Sequence, residues 1–193
     1  MIATDVIGPF LVPLKVTLLV AFVAALPYVL HEAWAFVAPG LYAHEKRLVL
    51  PLVVASFLLF LAGMSFAYFL VFPVVFKFMA SIAPEGVAWM TDIDKYFSFV
   101  LTTFVAFGVT FEVPVVVILL VRTGMVSIEK LKQARPYVIV GAFVVGAVFT
   151  PPDVLSQVML AVPLWILYEV GIVLARFVSQ PAERREKAAS TDG

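Results

Sequence analysis

An all-α bundle of membrane-spanning helices is the fold this sequence predicts, and three observations carry it. Of its 193 residues, 63% are hydrophobic and 13% charged, against about half and about a quarter in a typical soluble domain; the mean hydropathy is +1.08. The apolar residues gather in five long runs, and the basic residues collect at every second junction between them. A core of this size cannot hide so much apolar surface from water, so lipid must act as solvent for part of it.

The runs cover 11–36, 48–76, 96–121, 137–149 and 158–177. Roughly 20 apolar residues cross ~30 Å of hydrocarbon, and all but the fourth are long enough. The fourth, YVIVGAFVVGAVF, reaches only about 20 Å at helical rise. It is predicted to thin the bilayer locally or to shelter among its neighbours. Lys and Arg before it and Thr150-Pro-Pro-Asp153 after it still delimit a span. Between the second and third runs, FKFMASIAPEGVAWMTDIDKYF mixes rings with acids, a composition suited to a cap at headgroup depth. These spans make up one transmembrane domain, 1–178. After Arg176 the chain turns polar (PAERREKAASTDG), and 179–193 is predicted to be a disordered cytoplasmic tail.

Charge orients the array. Ten basic residues lie in 31–47, in 122–135 and from Arg176 onward, and three (Lys15, Lys77, Lys95) lie on the other side. By the positive-inside rule the C-terminus is cytoplasmic. Five spans would then put the N-terminus outside, although residues 1–10 hold nothing to drive their own export. The expectation is a missing first span, six in all.

Several function classes drop out. Zero net charge argues against a nucleic-acid surface, and the absence of cysteine excludes disulfides and thiolate metal sites. No HExxH, GxSxG or P-loop pattern is present. His31 and His44 fall near the cytoplasmic surface, too shallow to act as base in an intramembrane hydrolase. No enzyme, metal site or cofactor is expected.

The acids are the informative residues. Glu112, in FGVTFEVPVVVILL, sits nine residues from the end of its run, about 14 Å deep. An acid there costs at least ~2.5–3.5 kcal/mol and normally faces a bundle interior or a wet cavity. It either fixes helix packing or serves binding or gating. Pro114, two residues on, frees a carbonyl and favours a bend. Glu169 lies nearer the cytoplasmic end, with Arg176 two turns further on the same face; a structural role suits it best. In WAFVAPGLYAHEKR, Pro39-Gly40 ends one helix and Glu45 falls in the first turn of the next, where a carboxylate suits the helix dipole. Flanked by Phe36, Leu41 and Tyr42, the same acid could instead receive a guanidinium. Ser156 and Gln157, at the outer end of the last span, either hydrate the interface or bond a partner helix.

Taken together, MIATDV, EAWAFVAPGLYAHEKR, AFGVTFEVPV, RPYVIVGAFVVGAVFTPPDVLSQ and LYEVGIVLARF resemble the TatC family, the multispanning receptor subunit of the twin-arginine protein translocase. The likeness runs over nearly the whole chain, with Met1 matching an internal family position. It implies a six-helix bundle of the bacterial inner membrane without its first helix. It also implies that the chain recognises Arg-Arg signal peptides, self-associates in a receptor complex, and works with single-span TatA and TatB on the proton motive force to export folded proteins. Phe36 and Glu45 would then receive the signal peptide, Glu112 would be the membrane-embedded acid on the concave side of the bundle, and Thr150 and Gln157 would contact the partner helix. Ala147 departs from that polar cluster, and Asp153 matches a position of unsettled role. The competing reading is a proton-coupled small-solute transporter using Glu112 and Glu169, which would call for an internal repeat that the sequence does not show.

Overall fold

The computed structural model describes residues 6–37, 46–82, 91–149 and 154–191. The first helix is Gly8–Val37. The second runs Lys46–Phe66, passes through a π turn at Ala67–Val71 and continues as Phe72–Ile82. The third is Ile93–Phe111 followed by Val113–Arg122. The fourth is Ile128–Phe149, and the fifth is Val154–Thr191. Five of these stretches are long and apolar enough to cross a membrane, as the composition predicts, so the chain is a multi-pass membrane protein.

Two boundaries differ from the sequence expectation. The fourth helix begins at Ile128, not Tyr137, and its 22 residues reach about 33 Å. Its first turns, IEKLKQAR, are charged and therefore invisible to hydropathy, yet Glu, Lys, Leu, Gln, Ala and Arg are good helix formers. Ser127 starts them, its hydroxyl oxygen accepting from Lys130 N–H at 3.3 Å, as an N-cap does. Pro136 lies inside this helix; neighbouring helices compensate for such a residue in membrane spans. The fifth helix likewise continues to Thr191, through the segment for which disorder was expected, because AERREKAAS is again rich in helix formers.

Helix ends alternate along the chain. One end of the bundle gathers Phe36, Arg122 and Ile128 and is called here the basic end; Gly8, Ile82, Ile93 and Val154 lie at the opposite end. The third helix is the axis. Half of its apolar window is buried, against 11% for the first helix and 17% for the fourth. On one flank, Val115 and Leu119 pack with Leu26, Leu30 and Trp34 of the first helix and Phe60 of the second. On the other, Val117 packs with Leu131 of the fourth and with Tyr168 and Ile172 of the fifth.

Lipid tails are as apolar as leucine, so burial alone does not choose which faces meet; close packing at small residues does. Three of the crossings here are made at glycine. A Cβ on Gly63 would lie 2.4 Å from the Phe107 carbonyl oxygen, and one on Gly108 would lie 2.4 Å from the Phe60 ring. Gly171 lets the fifth helix approach Pro114, where a Cβ would meet its Cα at 3.0 Å. Gly146 does the same for the fourth helix against Gln157, at 3.3 Å.

The opposite end is fastened by polar groups and rings. Asp92 caps the third helix, its carboxylate accepting from the N–H of Asp94 at 2.9 Å and of Lys95 at 3.3 Å. Lys15 Nζ of the first helix donates to Asp94 at 2.7 Å and to Ser98 at 2.9 Å. Phe76 of the second helix stacks on Tyr96, with centroids 5.4 Å apart, and Phe72 meets Phe104 edge-on at 5.3 Å. Phe76 and Tyr96 belong to the stretch read as an aromatic cap, and Phe72 and Phe104 flank it; residues 83–90 of that stretch lie outside the described residues.

Candidate functional site

The third helix breaks at Glu112. Pro114 has no N–H to offer the Thr110 carbonyl, and its ring crowds that group. The backbone tightens to compensate: Glu112 N–H donates to Val109 O at 3.0 Å, three residues back instead of four. Glu112 itself adopts φ −74°, ψ −15°. The helical hydrogen bonding is thus interrupted beside Pro114, and Glu112 is the residue at the break, ten residues or about 15 Å from Arg122.

Its side chain points into the bundle, and Glu112 is 6% exposed. Both carboxyl oxygens are buried without a hydrogen-bond partner among the described residues. Phe60 of the second helix meets Gly108 of the third, which brings Ser56, one turn before Phe60, opposite Glu112, one turn after Gly108, with no hydrogen bond formed to the carboxyl. Ser56 is fully buried, and its oxygen accepts from the Trp34 indole N–H of the first helix at 3.0 Å. Three helices thus meet in one polar line, Trp34 to Ser56 toward Glu112. Sequence reasoning had singled out neither Trp34 nor Ser56. A serine in an apolar run is a weak signal by itself, and only the crossing of helices turns it toward the acid.

Glu169 has a partner on another helix. Arg135 of the fourth helix donates to its carboxylate at 2.6 Å, so the pairing ties the fourth helix to the fifth, in addition to any influence of Arg176. The Tyr168 hydroxyl donates to Leu131 O at 2.8 Å one residue away. The structural role expected for Glu169 thus takes a specific form, a clamp at the basic half of the last hairpin. Breaking one side of such a pair strands a charge in a poor solvent. Arg135→Ala is expected to destabilise the protein, and Arg135→Ala combined with Glu169→Ala to do so less. Thermal unfolding in detergent should read a favourable coupling of about 1–3 kcal/mol in this double-mutant cycle.

The remaining predicted positions do not converge on Glu112. Phe36 stands at the basic end of the first helix, 88% exposed. One turn earlier on the same face lies Glu32, also exposed, with His31 Nδ1 3.4 Å from its carboxylate. Spacing of four residues puts Glu32 beside Phe36, a neighbour legible in HEAWAF that sequence reasoning passed over. Gln157 is half-buried in the first turn of the fifth helix, at the opposite end, with its backbone against Gly146. Glu45, Thr150 and Asp153 lie outside the described residues. No group of three or more His, Cys, Asp or Glu side chains could hold a metal ion among the described residues.

Comparison with known proteins gives the geometry a context. The family described as "Sec-independent protein translocase protein (TatC)" matches residues 1–163. The Sec-independent protein translocase protein TatC of Azotobacter chroococcum mcd 1 is 57% identical over 193 residues, all of this chain and 74% of that protein. The protein of the same name from Escherichia coli K12 is 54% identical over 187 residues, 97% of this chain and 72% of that one. A crystal structure of a twin-arginine translocase receptor, TatC, superposes with a TM-score of 0.81 at 40% identity, covering 93% of this chain and 79% of that one. A second crystal structure of that receptor, in DDM, gives 0.80 at 41% identity. With the fold shared at this level and sequence likeness running the length of the chain, the protein is a member of the TatC family, Sec-independent protein translocases of the twin-arginine system.

Proposed function

We propose that this chain is the signal-peptide receptor of a twin-arginine translocase in the bacterial cytoplasmic membrane, with its basic end and C-terminus in the cytoplasm. It receives the Arg-Arg motif of a folded cargo at the basic end and lodges the apolar segment that follows along the bundle. Single-span partners of the TatA and TatB type and further copies of the chain then assemble on it, driven by the proton motive force. The observation that carries the reading is Glu112: an acid buried about 15 Å from the nearer helix end, at a break in the most enclosed helix. Such a group is expensive in lipid and is retained where a polar event occurs in the membrane.

The basic end suits two arginines. Phe36 offers a ring face and Glu32 a carboxylate one turn away, and guanidinium groups favour both. Glu45, eight residues after Val37 in sequence, supplies the second carboxylate. Gln157, at the opposite end, and Thr150, seven residues before it in sequence, are the polar groups offered to a partner helix. The reading as a proton-coupled transporter loses one of its two acids, because Glu169 is already held by Arg135.

Site-specific crosslinking tests the assignment. A photo-reactive group placed beside the Arg-Arg pair of a signal peptide should crosslink to the parent protein and several-fold less to Glu45→Ala. Phe36→Ala should fall in the same way. Equal yields in parent and variants would remove these residues from the signal-peptide surface.

A further inference from the structure

We propose that Ser56 is a positioning residue for Glu112: fixed by the Trp34 indole, its hydroxyl proton is reserved for the Glu112 carboxyl and holds that side chain inside the bundle between transport events. The inference deepens the reading of Glu112 given above and rests on it for its functional meaning, though not for its test.

The donor inventory makes the case. An indole nitrogen can only donate, and a serine hydroxyl has one hydrogen and accepts through its oxygen. Trp34 Nε1–H donates to Ser56 Oγ at 3.0 Å, so the oxygen is engaged and the hydrogen is left to point elsewhere. Both partners are enclosed, Ser56 fully and Trp34 at 6% exposure, and in a medium of low polarity such a bond polarises the hydroxyl and strengthens its donation. Phe60 meets Gly108 where the second and third helices cross, so Ser56, one turn before Phe60, faces Glu112, one turn after Gly108, whose two buried oxygens no described protein group satisfies. Buried polar atoms are nearly always bonded, and leaving one without a partner is costly.

The arrangement is also sturdy. Trp34 and Phe60 belong to one apolar cluster with Val115 and Leu119 of the segment that follows Glu112. The indole cannot shift without disturbing the packing that carries the acid. Ser56 lies on the second helix and Glu112 on the third, two helices locked at Gly63 and Gly108. Rigid helices therefore set the separation of donor and acceptor.

The test measures how freely the Glu112 carboxyl leaves its place. The full chain in lipid nanodiscs is treated with a membrane-permeant carbodiimide, and labelling of Glu112 is followed by mass spectrometry. Removing one net hydrogen bond should raise the labelling rate of Ser56→Ala about three- to tenfold over the parent. Ser56→Thr, which keeps the hydroxyl, should stay near the parent rate, and Trp34→Phe should fall between. An unchanged rate in Ser56→Ala overturns the proposal, as does a rise in Ser56→Thr equal to that in Ser56→Ala, which would point to packing alone. Should Ser56→Ala fail to assemble, Trp34→Phe decides: an increase supports the assignment and an unchanged rate overturns it. Labelling that responds as described, beside normal export by Glu112→Gln, would sink the functional reading of Glu112 and leave this inference standing. Unresponsive labelling beside lost export would do the reverse.

Discussion

Glu112→Met is expected to yield a protein that withstands heat better than its parent and exports less. The two effects share one cause. The carboxyl oxygens are buried with no hydrogen bond among the described residues, and the one proton Ser56 can offer satisfies a single oxygen at most, so the folded bundle still carries the desolvation penalty of a polar group, about 1–3 kcal/mol on mutational scales. Methionine keeps the unbranched shape, fills the space and carries no such penalty. Thermal unfolding in detergent should therefore move upward by an amount of that order. If the acid serves cargo insertion, transport of a twin-arginine reporter should drop at least several-fold in the same variant, and Glu112→Ala should behave similarly. A purely structural acid predicts the opposite pairing, with stability lost and export falling only as protein is lost. Unchanged export in both Glu112→Gln and Glu112→Ala would end the functional reading.

The second large effect lies at the crossing of the second and third helices. Gly63→Ala is expected to destabilise the protein by more than an ordinary overpacking change, above about 1–3 kcal/mol. The atom in the way is the Phe107 carbonyl oxygen, 2.4 Å from the new Cβ. Backbone cannot rotate aside, so the helices must separate, and in lipid no hydrophobic force draws them together again. Gly108→Ala makes a useful contrast. Its Cβ would meet the ring atoms of Phe60 at 2.4–2.6 Å, and a side chain can be trimmed. Combining Gly108→Ala with Phe60→Leu should restore much of the stability, whereas Phe60→Leu should do nothing for Gly63→Ala. Unfolding midpoints of the four variants in one detergent check this. Equal rescue of both glycine variants would show that the crossing is softer than its distances imply.

Such pairings were not legible in the chain, while much else was. Five runs of apolar residues marked five spans, and Pro114 marked the break beside Glu112. The fourth span was read nine residues too short because its first turns are charged, and hydropathy registers transfer to lipid, not helix propensity. The tail was read as disordered for a related reason: a polar composition says that a segment cannot be buried, not that it cannot coil. Glu169 was read as structural, with Arg176 noted two turns on along its own helix. Arg135, 34 residues earlier in sequence, became its neighbour only when the last two helices folded back on each other.

Residues in isolation were enough to establish that this protein lives in lipid, where its helices cross, and that an acid inside one of them calls for a reason. Those conclusions follow from transfer free energies, which belong to a side chain and its immediate neighbours along the chain. Tertiary structure alone decided what the acid faces, that Ser56 stands between it and Trp34 of the first helix, and that glycines set the distances. Lipid is indifferent to which apolar face meets which, so those choices rest on shape and on a few hydrogen bonds, and shape exists only once the helices have come together.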